Sequence, residues 1–365
     1  MVRGNYKTIK KLAKDFLEEN VSVLVLGHPG VGKSSLAREL AEEFGLELVD
    51  IRLSQIDPSE LAGIRLPDEK ASKVKFYAPD WAPIDKPAFL FLDEFNAGVT
   101  KLHQSAAYQI VLERRAGQAK FHPGTKIMAA GNLLDDNALV VPLSSALRNR
   151  FAHLVLEPDV DCWLEWAKSA GISPVMRAYV KFRGIKALFN MPVNDDVYAF
   201  PTPRSIEMAD KMYRKAVKEK FKPEEVKSYV AACVGEGDAI QFVQFAKLYS
   251  QIDVEKVVKT GEIGVEDKYK EPSFLYALTY GVASHVENMS PKEVQKSGLP
   301  KLLKQLPSEY VVLFVREVKD KPTVFRAVID SFTKDEDLMA LIDEVLESVA
   351  EVDKLRAKTK VTTKT

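Results

Sequence analysis

The chain has 365 residues, and its 52 Lys and Arg side chains are balanced by 52 Asp and Glu. Its apolar and charged fractions, 46% and 28%, are ordinary for a globular protein and exclude a fibrous or wholly disordered one. Because the charge is balanced, no global field draws the chain to nucleic acid or to an anionic membrane. The polar, basic first residues and the lack of a bilayer-length apolar stretch predict a cytoplasmic protein without a membrane partner.

The two cysteines, Cys162 and Cys233, have no CxxC spacing. This spacing disfavours a structural zinc site, and we expect buried free thiols.

The first part of the chain predicts strands that alternate with helices. Residues 5–19 have the apolar spacing of a short amphipathic helix. Residues 21–26 form a continuous apolar run, typical of a strand that is buried on both faces of a parallel sheet. This alternation predicts an α/β, doubly wound parallel sheet. A helix is expected at 34–44, and further strands at 46–51, 88–92, 126–130 and 153–156.

Beyond residue 158 the pattern becomes helical. Helices are expected at 161–169, 175–182, 205–218 and 222–249, although 310–315 has the apolar run of a strand when taken in isolation. The last residues are basic and Thr-rich, as in a frayed tail. The predicted domains are a nucleotide-binding α/β domain at 1–157, a helical lid domain at 158–251, and a mostly helical C-terminal extension at 252–365 with a basic flexible tail.

A glycine-rich segment between the first buried strand and the next helix satisfies the phosphate-loop pattern G-x-x-x-x-G-K-[ST]. Glycines let main-chain N–H groups curl around phosphates, and the helix N-terminus adds partial positive charge. We expect Lys33 to reach the β- and γ-phosphates and Ser34 to bind Mg²⁺ through its hydroxyl. The residues predicted to contact the nucleotide are Gly27, His28, Pro29, Gly30, Val31, Gly32, Lys33, Ser34 and Ser35.

Polar side chains end two later strands. The apolar segment 89–92 is followed by Asp93 and Glu94, and 127–130 is followed two residues later by Asn132. Parallel strands deliver such residues to the ligand crevice. Asp93 is therefore predicted to hold Mg²⁺, Glu94 to be the general base, and Asn132 to orient the attacking water. Alone, the acids could simply cap the next helix, but the phosphate loop upstream favours the catalytic interpretation.

With the segments 146–151 (ALRNRF) and 201–205 (PTPRS), these motifs occur in the order seen in AAA+ ATPases. The chain resembles the MoxR-like branch of that family up to about residue 251. The resemblance implies ATP as the nucleotide, Asn132 as sensor 1, Arg150 as the arginine finger and Arg204 as sensor 2.

An arginine finger stabilises the charge that develops on the γ-phosphoryl oxygens, and a neighbouring subunit can supply it. The resemblance therefore implies a ring-forming homo-oligomer, predicted to be a hexamer, in which Arg150 acts in trans. In the family an aromatic residue directly follows the finger, and here Phe151 follows Arg150. The need for a cation at the γ-phosphate does not by itself choose between the two arginines, so Arg148 stays open as the alternative. The resemblance also implies a partner with a von Willebrand A-type, metal-binding domain.

Two stretches, 61–77 and 118–126, have the pattern of β-hairpins and resemble the pore-facing hairpins of the family. The first hypothesis for function is accordingly an ATPase that remodels or matures a protein client in a chaperone-like way. The second is a nucleic-acid-directed motor or restriction-type nucleotidase subunit, which basic residues in the hairpins keep open. The third is a nucleotide-gated scaffold that scarcely hydrolyses ATP. The hairpin residues that keep the second, nucleic-acid hypothesis open are Lys70, Lys73, Lys75 and Lys120.

Overall fold

The computed structural model describes residues 1–68, 73–97, 100–133, 140–192, 197–263, 271–332 and 339. The chain divides into two compact units. The first comprises Met1–Trp163 and Leu188–Ile206, and the second comprises Leu164–Ala187 and Glu207–Thr365. The division expected at residues 158 and 252 stays a prediction.

All the strands found among the described residues lie in the first unit. They are β1 Val2–Gly4, β2 Val23–Gly27, β3 Glu47–Arg52, β4 Ile64–Asp68, β5 Lys73–Tyr77, β6 Ala88–Asp93, β7 Arg115–Ala116, β8 Ala119–Lys120, β9 Lys126–Gly131 and β10 Ala152–Leu156.

Helices surround the sheet in the first unit and build the second unit. They are α1 Tyr6–Glu18, α2 Lys33–Phe44, α3 Pro58–Ala62, α4 Lys101–Tyr108, α5 Ser145–Arg148, α6 Val160–Ser169, α7 Pro174–Arg183, α8 Ile185–Leu188, α9 Pro203–Lys218, α10 Pro223–Val234, α11 Glu236–Ser250, α12 Val254–Thr260, α13 Pro272–Val286, α14 Pro291–Lys296, α15 Leu299–Leu303, α16 Ser308–Val318 and α17 Pro322–Phe332, with a π-helical segment at Gln109–Glu113 after α4.

Among the described residues, six strands form one sheet in the order β1-β10-β2-β9-β6-β3, and every neighbouring pair is parallel. The central strands are almost completely apolar because both of their faces are covered by helices. One buried cluster contains Val23 and Phe91 with α1 and α2, and another contains Leu24 and Leu92 on the opposite face. The predicted doubly wound α/β fold is confirmed, with strand ends shifted by one or two residues.

Strand β1 was not predicted, because three largely exposed residues carry no apolar pattern. The possible strand at 310–315 is wrong. Those residues lie in α16, whose buried side chains recur at helical spacing: Tyr310, Val311, Phe314, Val315 and Val318. Periodicity over the full helix outweighs the β-branched run within it. The two thiols are free but only half-buried, and partial burial raises the pKa of Cys162 to about 11.

Both predicted hairpins exist, although the second begins earlier than expected. Strands β4 and β5 pair antiparallel, and β7 pairs with β8, so the second hairpin spans 115–120 instead of 118–126. Phe76 packs against Gly63, which directly precedes β4, and against Gly117, which lies in the turn between β7 and β8. A Cβ on Gly63 or Gly117 would lie 2.6 or 2.8 Å from the Phe76 ring. The two hairpins are therefore packed together through one aromatic ring.

The second unit is held by an apolar core and a buried ion pair. Its core includes Leu278, Phe314 and Phe332. Arg177 forms a short ion pair with Glu317, and their side chains are only 6% and 12% exposed. The Arg177 guanidinium also lies 5.6 Å from the centroid of the Tyr280 ring. None of the helices in the described ranges has the length and apolar character needed to cross a bilayer.

Replacing Glu317 with Ala should destabilise the second unit strongly, because it leaves the Arg177 charge buried without its carboxylate. We expect a loss of about 3–5 kcal/mol in the free energy of unfolding, measured by chemical denaturation. The matched control is Glu309→Ala on the same helix, where the side chain is exposed; it should cost under about 1 kcal/mol. Equal losses in the two variants would contradict this account of the ion pair.

Candidate functional site

The predicted phosphate loop connects the carboxyl end of β2 to the start of α2. Gly30 and Gly32 have φ angles of 76° and 103°, a region that only glycine enters without strain. A Cβ on Gly30 would also lie 2.9 Å from Thr202 Oγ1. Gly32 is the N-cap of α2, so the positive end of the helix dipole points into the loop. Glycines at positive φ and a helix N-terminus are the local features from which anion-binding loops are built.

Lys33 folds back over this loop. Its Nζ donates hydrogen bonds to the carbonyl oxygens of Gly27, at 2.5 Å, and His28, at 2.9 Å. It also donates to Asn132 Oδ1 at 3.1 Å. The predicted phosphate-binding lysine and the predicted sensor asparagine are therefore in direct contact.

The predicted metal ligands are also in contact. Ser34 Oγ donates to Asp93 Oδ2 at 3.1 Å, while Asp93 Oδ1 accepts from the Glu94 main-chain N–H at 2.9 Å. A hydroxyl and a carboxylate are hard oxygen donors, which Mg²⁺ prefers, and two such ligands leave positions for waters and phosphate oxygens. The described residues contain no group of three or more His, Cys, Asp or Glu able to hold a metal by themselves. The donor set therefore fits a phosphate-bound Mg²⁺.

Glu94 occupies an unusual backbone conformation. Its φ is 53°, in the left-handed region that non-glycine residues rarely adopt. Ser54, just after β3, donates a short hydrogen bond to the Glu94 carboxylate. Such local strain is frequent at functional turns.

Sequence reasoning missed Ser54 and a second residue, Asn96, which is only 6% exposed and is hydrogen-bonded to the main chain of Asn132. Both contacts join segments far apart in sequence, so no local pattern reveals them. The weak signal available was that each residue lies two or three positions after a strand that ends at the site.

A further carboxylate, Asp50, lies on β3 beside this cluster. Burial, and next the negative charge of Asp93, raises the pKa of Asp50 above its usual value. The Asp50 carboxylate therefore lies close enough to Asp93 for the two negative charges to interact, although Arg52 and Arg38 partly offset this effect on the pKa of Asp50.

The two predicted arginines lie at different ends of the sheet. The Arg204 Cβ would be 3.5 Å from a Cβ placed on Gly30, so α9 begins beside the phosphate loop. Arg150 is exposed and precedes β10, whose first residue pairs with Val23 and whose last pairs with Gly27. A strand rises about 3.3 Å per residue. Arg150 therefore lies a full strand length from the phosphate loop of its own chain, as does Arg148.

Comparison with known proteins agrees with this geometry. The model of the family described as "ATPase family associated with various cellular activities (AAA)" matches residues 23–158. Residues 23–158 are therefore similar to an AAA domain. The match covers the loop, the carboxylates, Asn132 and Arg150, and the AAA domain is a nucleotide-binding one at the family level.

Individual relatives are distant. Midasin of Dictyostelium discoideum is 30% identical over 149 residues, which make up 37% of this chain and 2% of midasin. A candidate ATPase of Cytophaga hutchinsonii is 14% identical, with 95% of this chain and 90% of that one covered at a TM-score of 0.35. NtrX of Brucella abortus is 12% identical, with 65% and 67% covered at a TM-score of 0.33.

Replacing Gly30 with Ala should impair triphosphate binding for two reasons. The new Cβ would clash with Thr202, and an alanine cannot adopt the positive φ of this position without strain. We expect an affinity loss of about tenfold or more, measured by titration with a fluorescent ATP analogue. Gly45→Ala is the matched control, since Gly45 has a φ of 63° but no atom within 4 Å of a new Cβ. It should cost about 1–2 kcal/mol of stability from backbone strain and leave binding intact. Unchanged binding in Gly30→Ala would argue against this loop as the phosphate site.

Proposed function

We propose that this chain is a ring-forming, MoxR-like AAA+ ATPase of the cytoplasm that uses Mg-ATP hydrolysis to remodel or mature a protein client. The observation that carries the proposal is the placement of five side chains. One edge of the sheet brings together the first two residues of α2, Lys33 and Ser34, and the strand-end residues Asp93, Glu94 and Asn132. Hydrogen bonds join Lys33 to Asn132 and Ser34 to Asp93.

Each of these residues has a distinct role in the proposal. Ser34 and Asp93 hold Mg²⁺, Lys33 binds the β- and γ-phosphates, and Asn132 orients the attacking water. When bound, Mg²⁺ neutralises phosphate charge and fixes the phosphate oxygens in place. Glu94 accepts the proton of the water through its carboxylate. Arg204, at the start of α9, binds the γ-phosphate in cis because its Cβ lies beside Gly30.

Self-assembly follows from the position of Arg150. A cation at the γ-phosphate raises the rate of phosphoryl transfer by orders of magnitude. Arg150 leaves the sheet at the end opposite to the phosphate loop, so its own chain cannot bring it to the site without unpairing β10. An exposed arginine there can serve the site of a neighbouring subunit, as in a ring, for which we propose six subunits. Arg148, which precedes the same strand, is the alternative finger.

The client is proposed to be a protein because of one exposed face of the β4–β5 hairpin. Ile64, Leu66 and Tyr77 are 49%, 50% and 47% exposed, and the Lys75 Nζ lies 5.2 Å from the centroid of the Tyr77 ring. Apolar side chains at this level of exposure are unusual for a surface that contacts phosphate backbones and are suited to protein contact. The resemblance to the MoxR-like branch supports a client with a von Willebrand A-type domain.

Replacing Glu94 with Gln should separate binding from hydrolysis. The amide keeps the shape of the side chain but cannot take a proton, so the kcat of steady-state phosphate release should fall by about 100-fold or more. The Kd for ATP should change by less than about threefold. The exposed Glu60→Gln serves as the control. Single-turnover hydrolysis that equals wild type in Glu94→Gln would exclude Glu94 as the base.

Subunits with Arg150→Ala should poison mixed assemblies. In titrations of wild type with this variant, ATPase activity should fall more steeply than the wild-type fraction, and the pure variant should lose about 10³-fold. A parallel titration with Arg148→Ala distinguishes the two candidate fingers. If isolated wild-type monomers, separated by size-exclusion chromatography, hydrolysed ATP at the full rate, the ring proposal would be wrong.

A further inference from the structure

We infer that Asn96 is a positioning residue for hydrolysis: its amide fixes the main chain of Asn132 and thereby the distance between Asn132 and Glu94. This inference rests on the proposed function. Asn96 has no role in the motifs that the sequence presents, yet the residue is only 6% exposed. A buried amide has both a donor and an acceptor to satisfy, so its partners define its role.

Both partners of the Asn96 amide belong to one residue. Its Nδ2 donates to the Asn132 carbonyl oxygen at 2.8 Å, and its Oδ1 accepts from the Asn132 main-chain N–H at 2.9 Å. The side chain thus takes the place of a neighbouring strand one step beyond the end of β9. With both main-chain groups of Asn132 engaged, the direction in which its Cα–Cβ bond leaves the backbone is fixed. The Oδ1 atom at the end of that side chain accepts from Lys33 Nζ at 3.1 Å.

The backbone around Asn96 is anchored as well. The Phe95 N–H donates to the Ala130 carbonyl at 2.8 Å, and the Asn96 carbonyl accepts from the Val141 N–H at 2.8 Å. Glu94 lies two residues before Asn96 in the same turn, with its φ of 53°. The amide therefore links the turn that holds the proposed base to the strand end that holds the proposed water-orienting residue.

The fit around the amide is tight. A Cβ on Gly131 would lie 2.5 Å from Asn96 Oδ1, closer than non-bonded atoms approach, so the close contact depends on a glycine at this position. Only an amide of this length supplies the donor and the acceptor together. An aspartate keeps the acceptor for the Asn132 N–H but sets a carboxylate oxygen against the Asn132 carbonyl.

The test compares Asn96→Ala and Asn96→Asp in the 365-residue chain. The readouts are kcat, the Kd for ATP and the hydrogen-exchange rate of the Asn132 main-chain N–H. We expect kcat to fall at least tenfold in both variants while the Kd changes less than threefold, because the phosphate loop is untouched. Without nucleotide, the Asn132 main-chain N–H should exchange at least tenfold faster in Asn96→Ala than in the wild type. The control is Asn288→Ala, because the amide of this exposed residue donates to the Ser284 carbonyl within its own helix end.

A double variant separates positioning from general destabilisation. If Asn96 acts through Asn132, Asn96→Ala combined with Asn132→Ala should have the kcat of Asn132→Ala alone, within about twofold. Losses that multiply, or an exchange rate at Asn132 that is unchanged in Asn96→Ala, would overturn the inference. If the wild type does not hydrolyse ATP, the proposed function fails, and the exchange rate still decides whether Asn96 holds Asn132.

Discussion

The parallel pairing of β2, β9 and β6 is the constraint on which the site depends. Because the three strands run in the same direction, their carboxyl ends meet at one edge. Leu26 pairs with Gly131, so Gly27 and Asn132 follow at one level. Leu92 pairs with Ala129, so Asp93 lies level with Ala130, two residues before Asn132. An antiparallel neighbour would bring the beginning of a strand to this edge and separate the carboxylates from the loop. The phosphate loop is therefore one of three strand ends that must coincide.

The residues at that edge could be predicted where their chemistry is local. A glycine-rich loop between a buried strand and a helix, and an acidic pair after an apolar strand, are complete within a few residues. Ser54 and Asn96 could not be found in this way, because their importance lies in contacts with Glu94 and Asn132. A serine after a strand and an asparagine in a turn are ordinary residues until the sheet places their partners.

The same limit explains the errors elsewhere in the chain. The run at 310–315 contains β-branched residues that favour a strand locally, but the core of the second unit selects a helix because Tyr310, Phe314 and Val318 then share one buried face. Tertiary packing overrides β-propensity, which mainly measures fit to a half-buried surface. Strand β1 was invisible for the opposite reason, since it is defined by pairing with β10 and not by its own composition.

The direction of β10 gives the strongest constraint on how such a site can work. The strand lies directly beside β2, which ends in the phosphate loop, yet being parallel it presents Arg150 at the other end. The fold therefore separates Lys33 and Arg204, which lie at the loop, from an arginine that no rotation of its side chain can return to it. On the proposed function this separation is useful, because a cation that arrives only with a neighbour makes hydrolysis depend on assembly. On the same proposal Asn96 adds the complementary element within one chain, since its bonds to the main chain of Asn132 link the proposed base to the proposed water-orienting residue before any neighbour is present.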